Sequence, residues 1–162
     1  MYKIFPFIAM LFFTSCKTTT YFVVRHAEKE TTNTMTNDVP LSAEGKQRAE
    51  ALKDVLQNKN IQAIYSTNYI RTKSTVQPLA QEKNIAIQVY DPRDTGFVSR
   101  IRKISSGNIL IVGHSNTVDD IVNKLEGKSV IPGDLPESEY GDLFLVKRKG
   151  KKYRFEKMHF GK

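Results

Sequence analysis

Three short segments of this chain carry side chains suited to handling an oxyanion. Arg25-His26-Ala27-Glu28 follows the apolar run 20–24. Ser66-Thr67 is followed at short distance by Arg71-Thr72. Gly113-His114-Ser115-Asn116 follows the apolar run 108–112. Brought together, two arginines and two histidines would form a pocket for a tetrahedral oxyanion. A guanidinium presents a planar fork that matches phosphate oxygens. A neutral imidazole can attack phosphorus. A second, protonated imidazole would join the guanidiniums in spreading the charge of the group in transit. A carboxylic acid nearby would protonate the leaving oxygen. Asp91 and Asp94, in the segment DPRDTGF, are the candidates for that acid, with Asp91 preferred because it ends an apolar run. Such a set runs phosphoryl transfer without a metal ion. No cofactor is implied, and no carboxylate pair at ligand spacing accompanies the histidines.

Convergence requires that these segments share one edge of a sheet. Residues 20–24 are β-branched and aromatic and read as a buried strand. Ser42 is a plausible N-cap for a helix to about residue 58, with Ala49, Leu52, Val55 and Leu56 at helical spacing. The remaining pattern gives strands at 61–65, 85–90 and 108–112, and helices at 68–83, 97–105 and 116–126. Residues 142–147 and 152–160 alternate in period two around Lys149-Gly150 and read as a closing hairpin. Four strand–helix units in succession imply an α/β fold. The expected architecture is a three-layer α/β/α sandwich whose sheet is mainly parallel, with a C-terminal antiparallel hairpin. Open sheets of this kind place their sites at the carboxyl ends of the strands, where all three segments fall.

Composition narrows the alternatives. The chain has 162 residues and a single cysteine, which suits one domain and excludes an internal disulfide framework or a thiolate-rich metal site. No glycine-rich nucleotide loop is present. A net charge of +8 favours anionic partners without naming one; no nucleic-acid partner is implied. Eleven of the first fifteen residues are apolar, with Lys3 ahead of an apolar stretch at 4–13. About twenty residues are needed to span a bilayer, so this segment reads as a targeting signal. It resembles a bacterial lipoprotein signal, with Phe13-Thr14-Ser15-Cys16 as the lipobox, although the position three before the cysteine is more often Leu. That resemblance implies a signal peptide at 1–15, lipidation of Cys16, a short tether at 16–19, and a domain at 20–162. The protein would be held to a membrane of the bacterial cell envelope through Cys16, outside the cytoplasm.

Taken in order, the motifs resemble the histidine phosphatase superfamily, in its small, phosphoglycerate mutase-like branch. Arg25-His26-Ala27-Glu28 looks like the RHxE signature of that family. LSAEGKQRAEAL from Leu41 resembles its LTxxGxxQA helix start. Tyr65-Ser66-Thr67 with Arg71-Thr72 and Thr75 resembles its YSSxxxRTxxT segment, and Gly113-His114-Ser115-Asn116 resembles its GHSN segment. The resemblance implies that His26 is the nucleophile and forms a phosphohistidine intermediate. It implies that Arg25, Arg71 and His114 bind the phosphoryl oxygens of a small phosphorylated substrate, and that Glu28 orients an Arg or His. The family's FGxWEG-type segment, which carries a proton-donating Glu, is missing here. The implied activity is metal-independent hydrolysis of phosphomonoesters. The alternatives are a phosphohistidine or envelope sugar-phosphate phosphatase, and a phosphate-binding protein of the same fold with little turnover.

Some residues have plainer readings. Ser115 and Asn116 read as caps of the helix that follows, Asp94 equally as a helix N-cap, and His159 as structural. The run Lys147-Arg148-Lys149-Gly150-Lys151-Lys152 reads first as a solvated turn, with contact to anionic lipid as the alternative. Oligomeric state leaves no mark in the sequence.

Overall fold

The computed structural model describes residues 18–32, 38–105 and 107–161. The expected signal peptide, its lipidated Cys16 and part of the tether lie outside the described residues. Strand β1 (Thr18–Arg25) is buried at every position after the first. It is followed by α1 (Ala43–Leu56), β2 (Ile61–Ser66), α2 (Ile70–Glu82), β3 (Ile87–Val89), α3 (Phe97–Ile101), β4 (Asn108–Gly113), α4 (Val118–Glu126), β5 (Asp142–Lys149) and β6 (Lys152–His159). The six strands form one sheet in the order β3-β2-β4-β1-β5-β6. The first four in that order run parallel; β5 is antiparallel to β1, and β6 to β5. This is the expected mixed sheet with its closing hairpin. Gly150 turns that hairpin with φ 61°, the sign a two-residue turn between twisted strands requires.

Alternation along the central strands sorts the core into two layers. Tyr21, Val23, Ile109 and Ile111 face α3 and α4 and pack against Phe97, Ile101, Val118, Val122 and Leu125. Phe22, Val24, Leu110 and Val112 face the opposite way, onto Leu52 and Leu56 of α1 and Val76 and Leu79 of α2. Both faces of the sheet are therefore covered, as a parallel sheet demands. Each fully buried aliphatic side chain contributes roughly 1.5–3 kcal/mol. No helix among the described residues is long and apolar enough to cross a membrane.

Helix boundaries follow local chemistry. Ser42 caps α1, its hydroxyl accepting from the Gly45 N–H at 3.1 Å, with Glu44 in the first turn and Lys53 in the last. Two elements are shorter than the sequence pattern suggests. At β3, the Ile85 N–H still donates to the Ala80 carbonyl and Asn84 takes φ 52°, so the chain is leaving α2 until Ile87. At its other end Tyr90 turns into the core, stacks on Phe97 at 4.2 Å and donates to the Val112 carbonyl. The α3 helix stops at Ile101 because Lys103 and Ile104 close short turns onto Arg100 and Ile101.

The β1–β4 pair positions the chemistry. The register places Arg25 beside Gly113, so the next residues, His26 and His114, leave adjacent strands side by side. The His26 N–H donates to the Gly113 carbonyl at 3.0 Å and closes the end of that ladder.

Candidate active site

A cleft of about 690 Å³ opens at this sheet edge and is lined by Arg25, His26, Arg71 and His114, together with Tyr69, Arg93 and Glu137. Four sequence-predicted residues from three separate segments thus meet in one cavity. The two imidazoles lie edge to face with centroids 5.4 Å apart.

His26 is 4% exposed and its tautomer is fixed by its neighbour. Nδ1 lies 2.8 Å from the Ala27 carbonyl oxygen. A carbonyl only accepts, so Nδ1 carries the hydrogen and Nε2 keeps its lone pair. Burial pushes the imidazole pKa down to about 3, with Arg71, Arg25 and His114 adding to the effect against the Ala27 hydrogen bond. His26 is therefore neutral at physiological pH, with the Nε2 lone pair free of a proton. The turn that carries it is fastened by the Ala27 N–H donating to Thr75 Oγ1 at 2.9 Å, and Thr75 donates in turn to the Arg71 carbonyl. The YSSxxxRTxxT-like segment therefore ties the His26 turn to the first turns of α2.

His114 is held the other way round. Its Nδ1 faces Arg71 Nη2 at 3.4 Å, and a guanidinium only donates. Nε2 therefore carries the hydrogen and donates to Thr67 Oγ1 at 2.9 Å; Thr67 passes its own hydrogen to Thr72, which donates to the carbonyls of Thr67 and Tyr69. Burial, then the charges of Arg71 and Arg25, lower the pKa of His114 to about 4. The sequence reading expects a protonated second imidazole. The ring here is neutral, first because it is buried and then because the Arg71 and Arg25 charges oppose a further positive charge. The Tyr69 ring packs edge-on to His114 at 5.0 Å and lies under Arg71 at 4.4 Å.

Arg25 is enclosed by the segment after α4. Its Nη1 donates to the carbonyls of Pro136, Glu137 and Glu139 at 2.8–3.1 Å, its Nη2 meets Glu137 Oε2 at 2.9 Å, and the guanidinium stacks over Tyr140 at 4.2 Å. The second Glu137 oxygen accepts from Ser115 Oγ at 2.5 Å. The Ser115 hydroxyl and then the Arg25 charge hold the Glu137 carboxyl below the usual range. Ser115 thus bonds to Glu137 and does not cap α4; that position belongs to Thr117, whose hydroxyl accepts from the His114 N–H at 3.0 Å.

Glu28 takes the orienting position expected of it, but its partner is Arg48. Arg48 Nε reaches both carboxylate oxygens at 2.8 and 2.9 Å, and its Nη2 lies 2.6 Å from one of them. Burial raises the Glu28 pKa, and Arg48 outweighs it, so the carboxyl stays below its ordinary value. Gly45 leaves no room for a side chain here, since a Cβ would overlap the Glu28 carbonyl.

The two aspartates lie differently from the four cationic groups. Asp91 accepts from the Arg93 N–H at 2.9 Å and from the Arg93 side chain, and both lower its pKa. Asp94 pairs with Arg100 and accepts from the Gly96 N–H, again with a lowered pKa. Neither is held in the protonated form that a proton donor needs, and neither lines the main cleft. Nor is Asp94 the N-cap of α3: that position is Gly96, whose N–H donates to the Asp94 carboxylate just before the helix. His159, on edge strand β6, pairs with Asp142 at 3.5 Å and lies outside the cleft.

Tyr69 and Glu137 line the cleft although motif reading does not single them out. Tyr69 sits between matched motif positions, which is a usable signal. Glu137 lies in an aperiodic segment that carries none.

The motifs and this geometry agree with a family pattern. Residues 21–93 match the histidine phosphatase superfamily, branch 1. That stretch, a little under half of the chain, is similar to the histidine phosphatase superfamily. A comparison with curated proteins finds no match. Solved structures of the same fold are numerous. The protein histidine phosphatase SixA complexed with tungstate superposes with a TM-score of 0.68 at 18% identity, covering 86% of this chain and 96% of that one. A mycobacterial glucosyl-3-phosphoglycerate phosphatase gives 0.63 at 11% identity, covering 88% and 98%. A phosphoglycerate mutase from Bacillus anthracis gives 0.63 at 15% identity, covering 88% and 93%. At these identities the likeness establishes the fold. The histidine phosphatase fold here carries both histidines immediately after the two central strands of its sheet.

Proposed function

We propose that this histidine phosphatase fold hydrolyses small phosphomonoesters through a phosphohistidine on His26, without needing a metal ion. The observation that carries the reading is the His26 tautomer. With Nδ1–H committed to the Ala27 carbonyl and burial keeping the ring neutral, Nε2 offers a lone pair into a cleft lined by two arginines. Nε2 attacks phosphorus, the P–O bond to the leaving group breaks, and the oxygen departs with its electron pair. Arg71, Arg25 and His114 take the non-bridging oxygens. Water then attacks the phosphorus of the phosphohistidine, the P–N bond breaks, and the electron pair returns to Nε2 as phosphate leaves.

The carboxyl of Glu137 in the cleft, and those of the candidate donors Asp91 and Asp94 outside it, are held below their usual range. This favours leaving groups that depart without help from a protein acid, and it supports phosphohistidine as the second substrate reading. Asp91 serves as donor only if substrate binding breaks its Arg93 pairing. We also infer that Cys16 is acylated and holds the domain to an envelope membrane outside the cytoplasm. The lipobox-like Phe13-Thr14-Ser15-Cys16 supports that reading.

The test is turnover of an activated aryl phosphate by the full-length protein in EDTA, beside His26→Ala. Turnover that persists in EDTA, disappears in the variant, and leaves an acid-labile phosphoenzyme on rapid quench supports the proposal. An active His26→Ala protein overturns it. No turnover by either protein, with phosphate still bound, moves the reading to a phosphate-binding protein.

A further inference from the structure

The four parallel strands carry their chemistry at one end, and the opposite end of the sheet has a distinct charge. The chain segments at that end are 57–60, 83–86, 102–105 and 127–128, together with the hairpin turn at 149–152. Between them they hold eight Lys and Arg and no Asp or Glu. Lys59, Lys103, Lys149, Lys151 and Lys152 are exposed and form no ion pair among the described residues. Two helix-end acids border these segments: Glu126 lies 3.7 Å from Lys128, and Glu82 is exposed beside Lys83. The eight cations are therefore spread over five segments, and the five exposed lysines over three of them, so the charge is not confined to one solvated turn.

Strand register adds a second, independent observation. Thr18 pairs with Lys149 and Thr19 with Arg148, so the first residue of β1 lies directly across from the lysine turn. Cys16 is two residues before it, and two residues of chain reach at most about 7 Å. An anchor at Cys16 would therefore be attached to the domain at the end that carries these lysines.

We propose that this end of the domain rests on an anionic lipid surface, its lysines facing headgroup phosphates, so that the catalytic cleft points away from the leaflet that holds the anchor. The proposal rests on the acyl-anchor reading of Cys16 and extends it from attachment to orientation. An acyl chain alone gives marginal binding, and a polybasic patch is a suitable second contact. The eight residues of β1 span roughly 26 Å, so a domain standing on this end holds His26 well clear of the headgroups. Its substrates are then soluble phosphorylated molecules and not phospholipids of the same leaflet.

Lysine acetylation of the full-length protein on vesicles tests this. Vesicles of phosphatidylcholine alone are compared with vesicles of equal parts phosphatidylcholine and phosphatidylglycerol. The expected result is severalfold slower labelling of Lys59, Lys103, Lys149, Lys151 and Lys152 on the anionic vesicles, with Lys29 at the cleft unchanged. The protection should vanish at 1 M salt, where the screening length falls to about 3 Å. In the variant Lys149→Glu/Lys151→Glu/Lys152→Glu, Lys59 and Lys103 should label as they do on neutral vesicles while phosphatase activity is kept. The variant Lys59→Glu/Lys103→Glu should expose the turn lysines in the same way. Equal labelling on both vesicles, or protection of Lys29, overturns the proposal. Cys16→Ser separates the two readings. If it dissociates from neutral vesicles yet keeps the lysine protection on anionic ones, anchor and orientation both stand. If it stays attached like wild type, the acyl anchor falls and the lysine pattern alone decides the orientation.

Discussion

Binding of a dianion should draw a proton into the cleft, and His114 should be the group that receives it. Burial and the charges of Arg71 and Arg25 hold this imidazole at about 4, against an ordinary value of 6.5. A dianion seated between Arg71 and His114 cancels the guanidinium repulsion and adds its own attraction. Full recovery to 6.5 is the ceiling of that effect, and linkage then gives an affinity about 30-fold higher at pH 5 than at pH 8. The ring is partly open to solvent, which screens the interaction, so about tenfold is the working expectation. Sulfate is the suitable probe because its own charge is constant over this interval. Isothermal titration at several pH values, in two buffers of different ionisation enthalpy, reads both the affinity and the protons taken up. Uptake should approach one proton near pH 5 and fall to zero by pH 8. The variant His114→Gln should bind sulfate more weakly and lose the slope. A flat affinity in the wild-type protein, with no proton uptake, would refute the reasoning, because the neutral His114 deduced from its Arg71 and Thr67 contacts would then be wrong.

Four further outcomes follow from the same contacts. Glu137→Gln removes the carboxylate that competes for Arg25 and should tighten sulfate binding severalfold, the gain being limited because Glu137 is largely exposed; weaker binding on titration would contradict that competition. Thr67→Val deletes the acceptor of the His114 Nε2–H and leaves a buried donor unpaired, a cost of about 1–3 kcal/mol. Turnover of the aryl phosphate should fall roughly ten- to hundredfold, with the circular dichroism spectrum unchanged. Gly45→Ala pushes a methyl into the Glu28 carbonyl and should lower the thermal midpoint and the activity together, whereas Gly127→Ala, at an open C-cap with φ 85°, should lower the midpoint alone. Below pH 6.5 the unfolded chain protonates both histidines while the folded one resists, down to about 4 for His114 and about 3 for His26. Stability is therefore complete above pH 6.5 and falls as pH drops through that range, so a series of thermal midpoints from pH 7 to pH 4.5 should decline, less steeply with sulfate present.

The sheet was legible because its signals are local and repeated. The β-branched run before Arg25, the Ser42 cap and the period-two alternation around Gly150 each state their element without reference to the rest of the chain. Convergence of Arg25, His26, Arg71 and His114 was legible for a topological reason, since all four follow the carboxyl ends of parallel strands. What the sequence concealed depends on contacts across space. Ionic capture of Asp91 by Arg93 and of Asp94 by Arg100 requires knowing which way those side chains turn. The fold-back of residues 136–140 over Arg25 joins positions more than a hundred apart and has no periodicity to announce it. The charge state of His114 also depends on contacts across space. An imidazole near a phosphate site suggests a cation, but two neighbouring guanidiniums and burial decide otherwise until the anion arrives.

The placement of both histidines immediately after β1 and β4 has a bearing on how the protein loses activity. These two strands form the middle seam of a six-stranded sheet, with two further strands on either side. Fraying of β3 or β6, or nicking of the loops beside them, opens the periphery while the seam keeps its hydrogen bonds. Amides of residues 21–25 and 109–113 should then exchange only through global unfolding, as the most protected set in the chain. Catalysis and global stability would share one clock: the rate at which activity decays in denaturant should equal the rate at which those central amides are released, and partial damage at the edges should leave an enzyme that is worn but fully competent.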